Sequence, residues 1–248
     1  MSKIVFITGG SRGIGAATAL LAAKQGYAVA VNYTANSLAA DEVVRLIRAD
    51  GGQAITVQGD VARETDVMAM FEKVDAKLGR LSALVNNAGV VDVQARVDAM
   101  DFARLRRMFD INVIGSFLCA REAVRRMSTR YGGSGGAIVN LSSGAARVGS
   151  PGQYVDYAAS KAAIDTFTLG LAKEVAGEGI RVNAVRPGLI DTGIHASGGM
   201  PNRANDMASQ IPMQRAGTAE EVAQAIVWLL SDKASYATMA LLDITGGR

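Results

Sequence analysis

Short apolar runs alternate with amphipathic segments along nearly the whole chain, and this alternation constrains the fold most strongly. Seven runs rich in Val, Ile and Leu occupy residues 3–8, 27–33, 54–58, 81–86, 137–142, 180–186 and 239–244. The segments between them carry apolar residues at helical spacing, as at Val67, Met70, Phe71 and Val74. Strands separated by helices predict βαβ units and a mostly parallel sheet. We expect an α/β, doubly wound fold with about seven strands and helices on both faces of the sheet.

The pattern continues without a linker as far as residue 187, which predicts a single domain over residues 1–248. The chain is 49% hydrophobic and 20% charged, as expected of a globular protein with a large core. Residues 191–215 interrupt the pattern with three glycines and two prolines. Because this segment follows a strand at the edge where open α/β sheets bind ligands, we expect a substrate lid at about 191–215.

Charge and hydropathy exclude several classes of protein. The net charge is only +3 and aromatic residues make up 5% of the chain, so the eight arginines of residues 96–130 do not predict a nucleic-acid surface. No apolar run reaches the length of a membrane span, and no leader-like segment precedes the first strand. The single cysteine, Cys119, predicts a buried thiol rather than a disulfide. We expect a cytoplasmic protein with no membrane, nucleic-acid or catalytic-metal partner.

A glycine-rich turn follows the first predicted strand. Gly9, Gly13 and Gly15 lie between Thr8 and a helical run that begins at Ala16. Glycines at this point permit a tight turn and a close approach of the backbone to a pyrophosphate, which the amide groups of the helix N-terminus can bind. A purely structural turn needs the same residues, but the place after the first strand favours nucleotide binding.

The end of the second strand predicts which nucleotide is bound. Asn32, Tyr33 and Thr34 end this strand, and no carboxylate follows them closely. A carboxylate there would bind the ribose hydroxyls of NAD(H) and repel a 2′-phosphate. Its absence, with Arg12 in the glycine turn, favours NADP(H) over NAD(H), although a solvated Arg12 is the alternative.

Tyr157 and Lys161 lie four residues apart at the start of a long helical run and so share a helix face. A free phenol has a pKa of about 10, and a neighbouring cation favours its ionised form. The pair therefore predicts acid/base chemistry. Just upstream, an apolar strand ends in Ser142 and Ser143, and a hydroxyl at that edge of the sheet is placed to bind a substrate carbonyl oxygen.

Together these motifs make the chain resemble the short-chain dehydrogenase/reductase family over essentially its whole length. The matching motifs, in the expected order, are Thr8-Gly9-x-x-x-Gly13-x-Gly15, Asp60-Val61, Asn86-Asn87-Ala88-Gly89, Asn112, Ser143, Tyr157-x-x-x-Lys161 and Pro187-Gly188. The resemblance implies a Rossmann fold. Two features depart from the usual pattern: Ser143 precedes Tyr157 by fourteen residues, one more than is common, and Tyr154 offers a second tyrosine without a lysine four residues later.

The resemblance also implies residue roles. Tyr157 would be the general acid/base, Lys161 would lower the Tyr157 pKa and hold the nicotinamide ribose, and Ser143 would orient the carbonyl. Asn112 would hold a water in a proton relay, and Asp60 and Val61 would contact adenine. The full cofactor set is Gly9, Ser11, Arg12, Gly13, Ile14, Gly15, Asn32, Tyr33, Thr34, Asp60, Val61, Asn87, Ala88, Gly89, Tyr157, Lys161, Pro187, Gly188, Ile190 and Thr192.

The family also assembles into oligomers through helices that correspond to residues 100–127. The resemblance therefore implies a homotetramer, or else a dimer, with a C-terminal contact at 241–248. In such an interface the arginines of 96–130 would pair with acids such as Asp101, Asp110 and Glu122. We expect His195, the only histidine, to be a lid residue outside the reaction.

Several functions fit these residues. The leading one is an NADPH-dependent carbonyl reductase or alcohol dehydrogenase that acts on a ketone or secondary alcohol. A 3-oxoacyl-acyl-carrier-protein reductase and a sugar dehydrogenase are alternatives within the same class. A non-catalytic NADP(H)-binding regulatory protein is the alternative from another class, and the presence of all four residues Asn112, Ser143, Tyr157 and Lys161 argues against it.

Overall fold

The computed structural model describes residues 3–194, 198–200 and 202–248. Within this part of the chain, seven strands form one sheet in the order β3-β2-β1-β4-β5-β6-β7, and all neighbouring strands are parallel. The strands are β1 (Ile4–Ile7), β2 (Ala28–Tyr33), β3 (Ala54–Gln58), β4 (Ala83–Asn86), β5 (Gly136–Leu141), β6 (Ile180–Pro187) and β7 (Leu241–Ile244). The predicted α/β, doubly wound Rossmann fold is confirmed, and the sheet is wholly rather than mostly parallel.

Helices cover both faces of this sheet. They are α1 (Gly13–Lys24), α2 (Ser37–Ala49), α3 (Glu64–Lys77), α4 (Phe102–Phe109), α5 (Gly115–Met127), α6 (Ala145–Val148), α7 (Val155–Val175), α8 (Arg203–Asp206) and α9 (Ala219–Leu230), counted over the described residues. A π-helical turn, Asp110–Ile114, joins α4 to α5. Short 3₁₀ turns lie at Val97–Ala99, Thr129–Tyr131, Ala176–Glu178, Ala208–Gln210 and Asp232–Ala234.

The apolar runs form strands because both faces of the sheet are buried. One apolar cluster packs the sheet against α1, α2 and α9, with Ala19 and Ile226 among its members. The other packs it against α3, α5 and α7, with Phe71 and Cys119 among its members. Cys119 is fully buried, and this burial raises the pKa of its thiol to about 12, as expected of an unreactive cysteine. None of the helices in the described ranges is long and apolar enough to cross a membrane.

The strand order reverses beside β1, because β2 lies on one side of β1 and β4 on the other. A crevice forms at the carboxyl ends of the strands where the order reverses, and open α/β sheets bind ligands there. The glycine turn follows β1, Asn87 follows β4, Ser142 and Ser143 follow β5, and Gly188 follows β6. The fold therefore brings the motifs predicted from the sequence to one edge of the sheet.

The arginine-rich window does not depend on a partner subunit for its charge balance. Seven of its eight arginines form ion pairs within the chain, including Arg104 with Asp156 at 2.8 Å and Arg107 with Asp92 at 3.1 Å. Glu122 is 6% exposed and forms ion pairs with three of these arginines. Carboxylates of the same chain therefore already lie beside most of these arginines, and the pairing expected in a subunit interface stays a prediction.

Candidate active site

The glycine turn joins β1 to α1, as predicted. Gly9 and Gly13 have φ angles of +60° and +53°, which favour glycine, and a Cβ at Gly15 would clash with the carbonyl oxygen of Gly9. Helix α1 has no acidic residue in its first turn. The N–H groups of Gly13, Ile14 and Gly15 find no acceptor among the described residues. A helix N-terminus with free donors and no negative charge favours a bound anion.

Asn32 holds the glycine turn in place. Its Oδ1 accepts from the Gly9 N–H at 2.9 Å, and its backbone carbonyl accepts from the Gly10 N–H at 2.8 Å. Its Nδ2 donates to the carbonyls of Val57 and Gly59, so the carboxamide is buried and fully engaged. Asn32 was predicted as a cofactor contact. In this structure its side chain fixes the position of the glycine turn instead. Tyr33 is half-buried beside it, whereas Thr34 and Arg12 are exposed.

Thr8 and Asn87 join the turn to the end of β4. The Thr8 hydroxyl accepts from the N–H groups of Asn87 and Ala88, both at 3.0 Å, and the Asn87 Nδ2 donates to the carbonyls of Thr8 and Gly9. Thr8 was not predicted as a site residue, although it opens the motif Thr8-Gly9-x-x-x-Gly13-x-Gly15 on which the resemblance rests. These bonds fix the backbone of the turn relative to the neighbouring strand.

Asp60 and Val61 follow β3, at one end of the crevice. The Asp60 Oδ1 accepts from the Ala62 N–H at 3.0 Å. Val61 is buried against Gly115, where a Cβ would lie 2.8 Å from the Val61 Cγ2. Neither residue lines the cleft described below. Their predicted contact with adenine would therefore require the cofactor to extend along the sheet edge.

Tyr157 and Lys161 lie on one face of α7. The Lys161 Nζ is 5.7 Å from the centre of the Tyr157 ring and donates to the carbonyl of Leu141 at 2.7 Å. Burial raises the pKa of Tyr157, and a hydrogen bond with Ser143 acts in the opposite direction. Burial also lowers the pKa of Lys161 to about 8, against the influence of Asp165. At Tyr157, burial is the larger of the two effects, so the pKa of Tyr157 lies above its ordinary value in this structure, and the expected lowering by Lys161 stays a prediction.

The two serines after β5 have different roles. The Ser142 hydroxyl donates to the backbone carbonyl of Lys161 at 3.0 Å and so connects β5 to α7. The Ser143 hydroxyl accepts from the Ala145 N–H at 3.1 Å and forms the hydrogen bond with Tyr157. Ser143 rather than Ser142 therefore belongs with the reactive pair, despite the longer spacing to Tyr157.

Asn112 lies in the π-helical turn between α4 and α5. Its carboxamide accepts from the Val90 N–H at 2.8 Å and donates to the Val90 carbonyl at 3.0 Å and to the Ser160 hydroxyl at 3.1 Å. Ser160, which the sequence did not single out, donates to the carbonyl of Tyr157 at 2.7 Å. A Cβ at Gly89 would lie 3.4 Å from the Asn112 Oδ1 and 3.5 Å from the Lys161 Nζ. Asn112 thus joins the segment after β4 to the helix that carries Tyr157.

These elements enclose a cleft of about 190 Å³. From the predicted set, its lining includes Ile14, Asn87, Gly89, Ser143, Tyr157, Lys161, Pro187, Gly188, Ile190 and Thr192. Tyr154, Arg203 and Arg248 also line it and were not predicted as site residues. Arg203 lies within residues 191–215, the segment that the sequence predicts as a lid. His195 lies outside the described residues. In the part of the chain that the structure describes, no three His, Cys, Asp or Glu residues group as metal ligands would.

Comparisons with known proteins agree with this geometry. A family model described as enoyl-(acyl carrier protein) reductase matches residues 9–248. An uncharacterized oxidoreductase of Escherichia coli (strain K12), YgfF, is 60% identical over 99% of both chains. A cis-4-hydroxycyclohexanecarboxylate dehydrogenase of Sinomonas cyclohexanicum is 40% identical over 99% of this chain and 96% of its own. The solved structure of a short-chain type dehydrogenase/reductase from Mycobacterium marinum superimposes with a TM-score of 0.92 at 35% identity, over 99% of this chain and 94% of that one.

Proposed function

The chain belongs to the short-chain dehydrogenase/reductase family, and we propose that it transfers hydride between NADP(H) and a ketone or secondary alcohol, with Tyr157 as general acid/base. The family makes it an oxidoreductase of CH–OH and C=O groups that uses a nicotinamide cofactor. One observation carries the finer proposal. Tyr157, its partner Ser143 and Lys161 line the same cleft as Ile14 of the glycine turn and Asn87 after β4.

The crevice fits a dinucleotide. The free N–H groups of Gly13, Ile14 and Gly15 suit a pyrophosphate, and the glycines leave room for it. Thr34, just after β2, and Arg12, in the glycine turn, are exposed, and β2 has no carboxylate. This arrangement favours a 2′-phosphate and hence NADP(H) over NAD(H). The residues that would hold the nicotinamide end are Gly89, Lys161, Pro187, Gly188, Ile190 and Thr192. When bound, the reduced nicotinamide supplies the hydride.

The side chains of the cleft perform the proton chemistry. Because burial raises the pKa of Tyr157, its phenol keeps its proton at neutral pH and can donate it to a carbonyl oxygen. Ser143, bonded to Tyr157, is placed to donate to the same oxygen and so to fix its direction. In the reverse direction Tyr157 must first lose its proton, so alcohol oxidation is expected to favour a higher pH than carbonyl reduction.

Assembly as a homotetramer, with a dimer as the simpler alternative, is part of the proposal. Ile114 and Phe117 on the α5 side are 46% and 47% exposed, and the Phe117 ring stacks on Phe167 with centroids 3.8 Å apart. Exposed apolar side chains grouped in this way favour a protein–protein contact. Size-exclusion chromatography with light scattering tests this, and a monomer at micromolar concentration contradicts it.

The direct test follows the loss of nicotinamide absorbance. Purified protein is mixed with NADPH or NADH and a panel of activated ketones, diketones, 3-oxoacyl thioesters and aldoses. Turnover with NADPH that is absent from Tyr157→Phe protein supports a reductase, and the productive substrate separates the acyl-carrier-protein and sugar alternatives. Binding of NADPH without turnover on any substrate would favour the non-catalytic regulatory alternative.

A further inference from the structure

Arg203 brings a buried positive charge to the lid side of the cleft. Arg203 is the first residue of α8 and is only 9% exposed. It lines the cleft together with Ser143 and Tyr157. Neither the motifs nor the reaction described above use it. Arginine is almost never buried in proteins unless it is paired. The position of Arg203 therefore calls for an anionic partner.

The contacts of Arg203 orient its guanidinium without neutralising it. Nη2 donates to the Gln153 Oε1 at 2.7 Å, Nη1 lies 3.6 Å from the Met200 Sδ, and Cζ is 5.1 Å from the centre of the Tyr154 ring. A guanidinium has five N–H donors. Three of them have no acceptor among the described residues.

No carboxylate of the described residues forms an ion pair with Arg203. Residues 1, 2, 195–197 and 201, which lie outside the description, have no carboxylate in their side chains. The charged side chains in the described lining are Lys161, Arg203 and Arg248, and no Asp or Glu side chain accompanies them.

We propose that the substrate carries a carboxylate in addition to its carbonyl or hydroxyl group, and that Arg203 binds this carboxylate. The proposal rests on the proposed function, since it names the substrate class of the same site. Arg203 lies over the ring of Tyr154, and both Arg203 and Tyr157 line the cleft. Because they share this cleft, one molecule bound in it can contact Arg203 at its carboxylate and Tyr157 at its carbonyl.

The geometry favours a carboxylate over other anions. Two parallel N–H groups of a guanidinium match the two oxygens of a carboxylate. The partner groups Gln153 and Met200 are uncharged, so the single positive charge of Arg203 suits a ligand group with a single negative charge.

The first experiment compares small oxo acids with the primary amides of the same acids, in the wild type and in Arg203→Gln and Arg203→Lys proteins. We expect Arg203→Gln to lower kcat/KM for the acids by about tenfold or more, mainly through KM, and to change the values for the amides by less than about threefold. We expect Arg203→Lys protein to keep part of the preference for acids over amides, because lysine retains the positive charge. Arg215→Gln is the matched control, because Arg215 is an exposed lid arginine that pairs with Glu221 outside the cleft.

Equal losses for acids and amides in Arg203→Gln protein would overturn the proposal, as would a wild type that does not prefer acids. A phosphorylated ketone preferred over every oxo acid would overturn it too. NADPH binding and thermal melting show whether each variant is folded.

A second experiment separates this proposal from the proposed function. Cyclohexanecarboxylate and cyclohexanecarboxamide are titrated calorimetrically into protein saturated with NADP⁺. Weaker binding of the carboxylate alone in Arg203→Gln protein, by about tenfold, supports the role of Arg203 even if no substrate is turned over. Unchanged binding of the carboxylate overturns it even if neutral ketones are reduced.

Discussion

The Lys161 ammonium donates a hydrogen bond to the backbone carbonyl of Leu141 at 2.7 Å. This bond ties the middle of α7 to the end of β5, one residue before the two serines. Lys161 is thereby held near Gly89, where a cofactor would approach, and 5.7 Å from the centre of the Tyr157 ring. The side chain whose hydrogen bond acts on the pKa of Tyr157 is Ser143.

The acid/base role of Tyr157 gives the first prediction. Tyr157→Phe removes the only proton that the reaction takes from this side chain, while the ring and its packing stay in place. We expect kcat to fall roughly 10²- to 10⁴-fold and NADPH affinity to change little. Tyr236→Phe is the control, because the Tyr236 side chain is fully exposed. A Tyr157→Phe protein with wild-type kcat would sink the assignment.

The pKa of Lys161 gives a pH prediction. The Lys161 side chain is positively charged below about pH 8, and it loses this charge as the pH rises through that value. If the charge helps to hold the cofactor ribose and to stabilise the reacting oxygen, kcat/KM for carbonyl reduction falls above about pH 8. Tyr157 stays protonated over the same range, because its pKa is raised. A profile of kcat/KM between pH 6 and pH 10 checks this, and a value that stays flat to pH 10 contradicts it.

The exposed guanidinium of Arg12 tests the cofactor preference. It lies at the N-cap of α1, in the glycine turn, and makes no side-chain cap bond. We expect Arg12→Ala to weaken NADPH binding by about tenfold or more, as for a lost charge-assisted bond, and to leave NADH binding nearly unchanged. Titration of both nucleotides by fluorescence measures this. Arg96→Ala, another exposed arginine, serves as the control, and equal losses for the two nucleotides would place the 2′-phosphate contact elsewhere.

The ion pair between Arg104 and Asp156 predicts a stability effect next to the site. The two side chains are 10% and 0% exposed, and Asp156 immediately precedes Tyr157. Arg104→Met leaves a buried carboxylate without its partner, which costs about 3–5 kcal/mol of unfolding free energy. The double variant Arg104→Met/Asp156→Leu should recover much of that loss. Urea denaturation measures both, with the exposed pair of Arg96 and Asp98 as a control expected to contribute less than about 1 kcal/mol.

The sequence predicted the strands well because burial of both faces of a parallel sheet requires continuous apolar runs. It also predicted the motifs at the sheet edge, since the carboxyl ends of parallel strands must meet there. It could not show that burial raises the pKa of Tyr157, because burial depends on packing from several elements at once. Arg203 was missed for a similar reason: an arginine in an irregular segment is normally exposed, and only the fold brings it to Gln153 and Tyr154.

The two serines after β5 allow the sharpest separation of chemistry from structure, because they are neighbours in the chain and differ in their partners. Ser143→Ala removes the hydroxyl that interacts with Tyr157 and with the Ala145 N–H, so we expect kcat to fall roughly 10²- to 10³-fold and the unfolding free energy to fall by about 1 kcal/mol. Ser142→Ala removes the bond to the Lys161 carbonyl and should lower the unfolding free energy by about 1 kcal/mol, with a smaller effect on kcat. Steady-state kinetics and denaturation of the two proteins, measured side by side, check both expectations. The reverse pattern would assign the carbonyl-orienting role to Ser142.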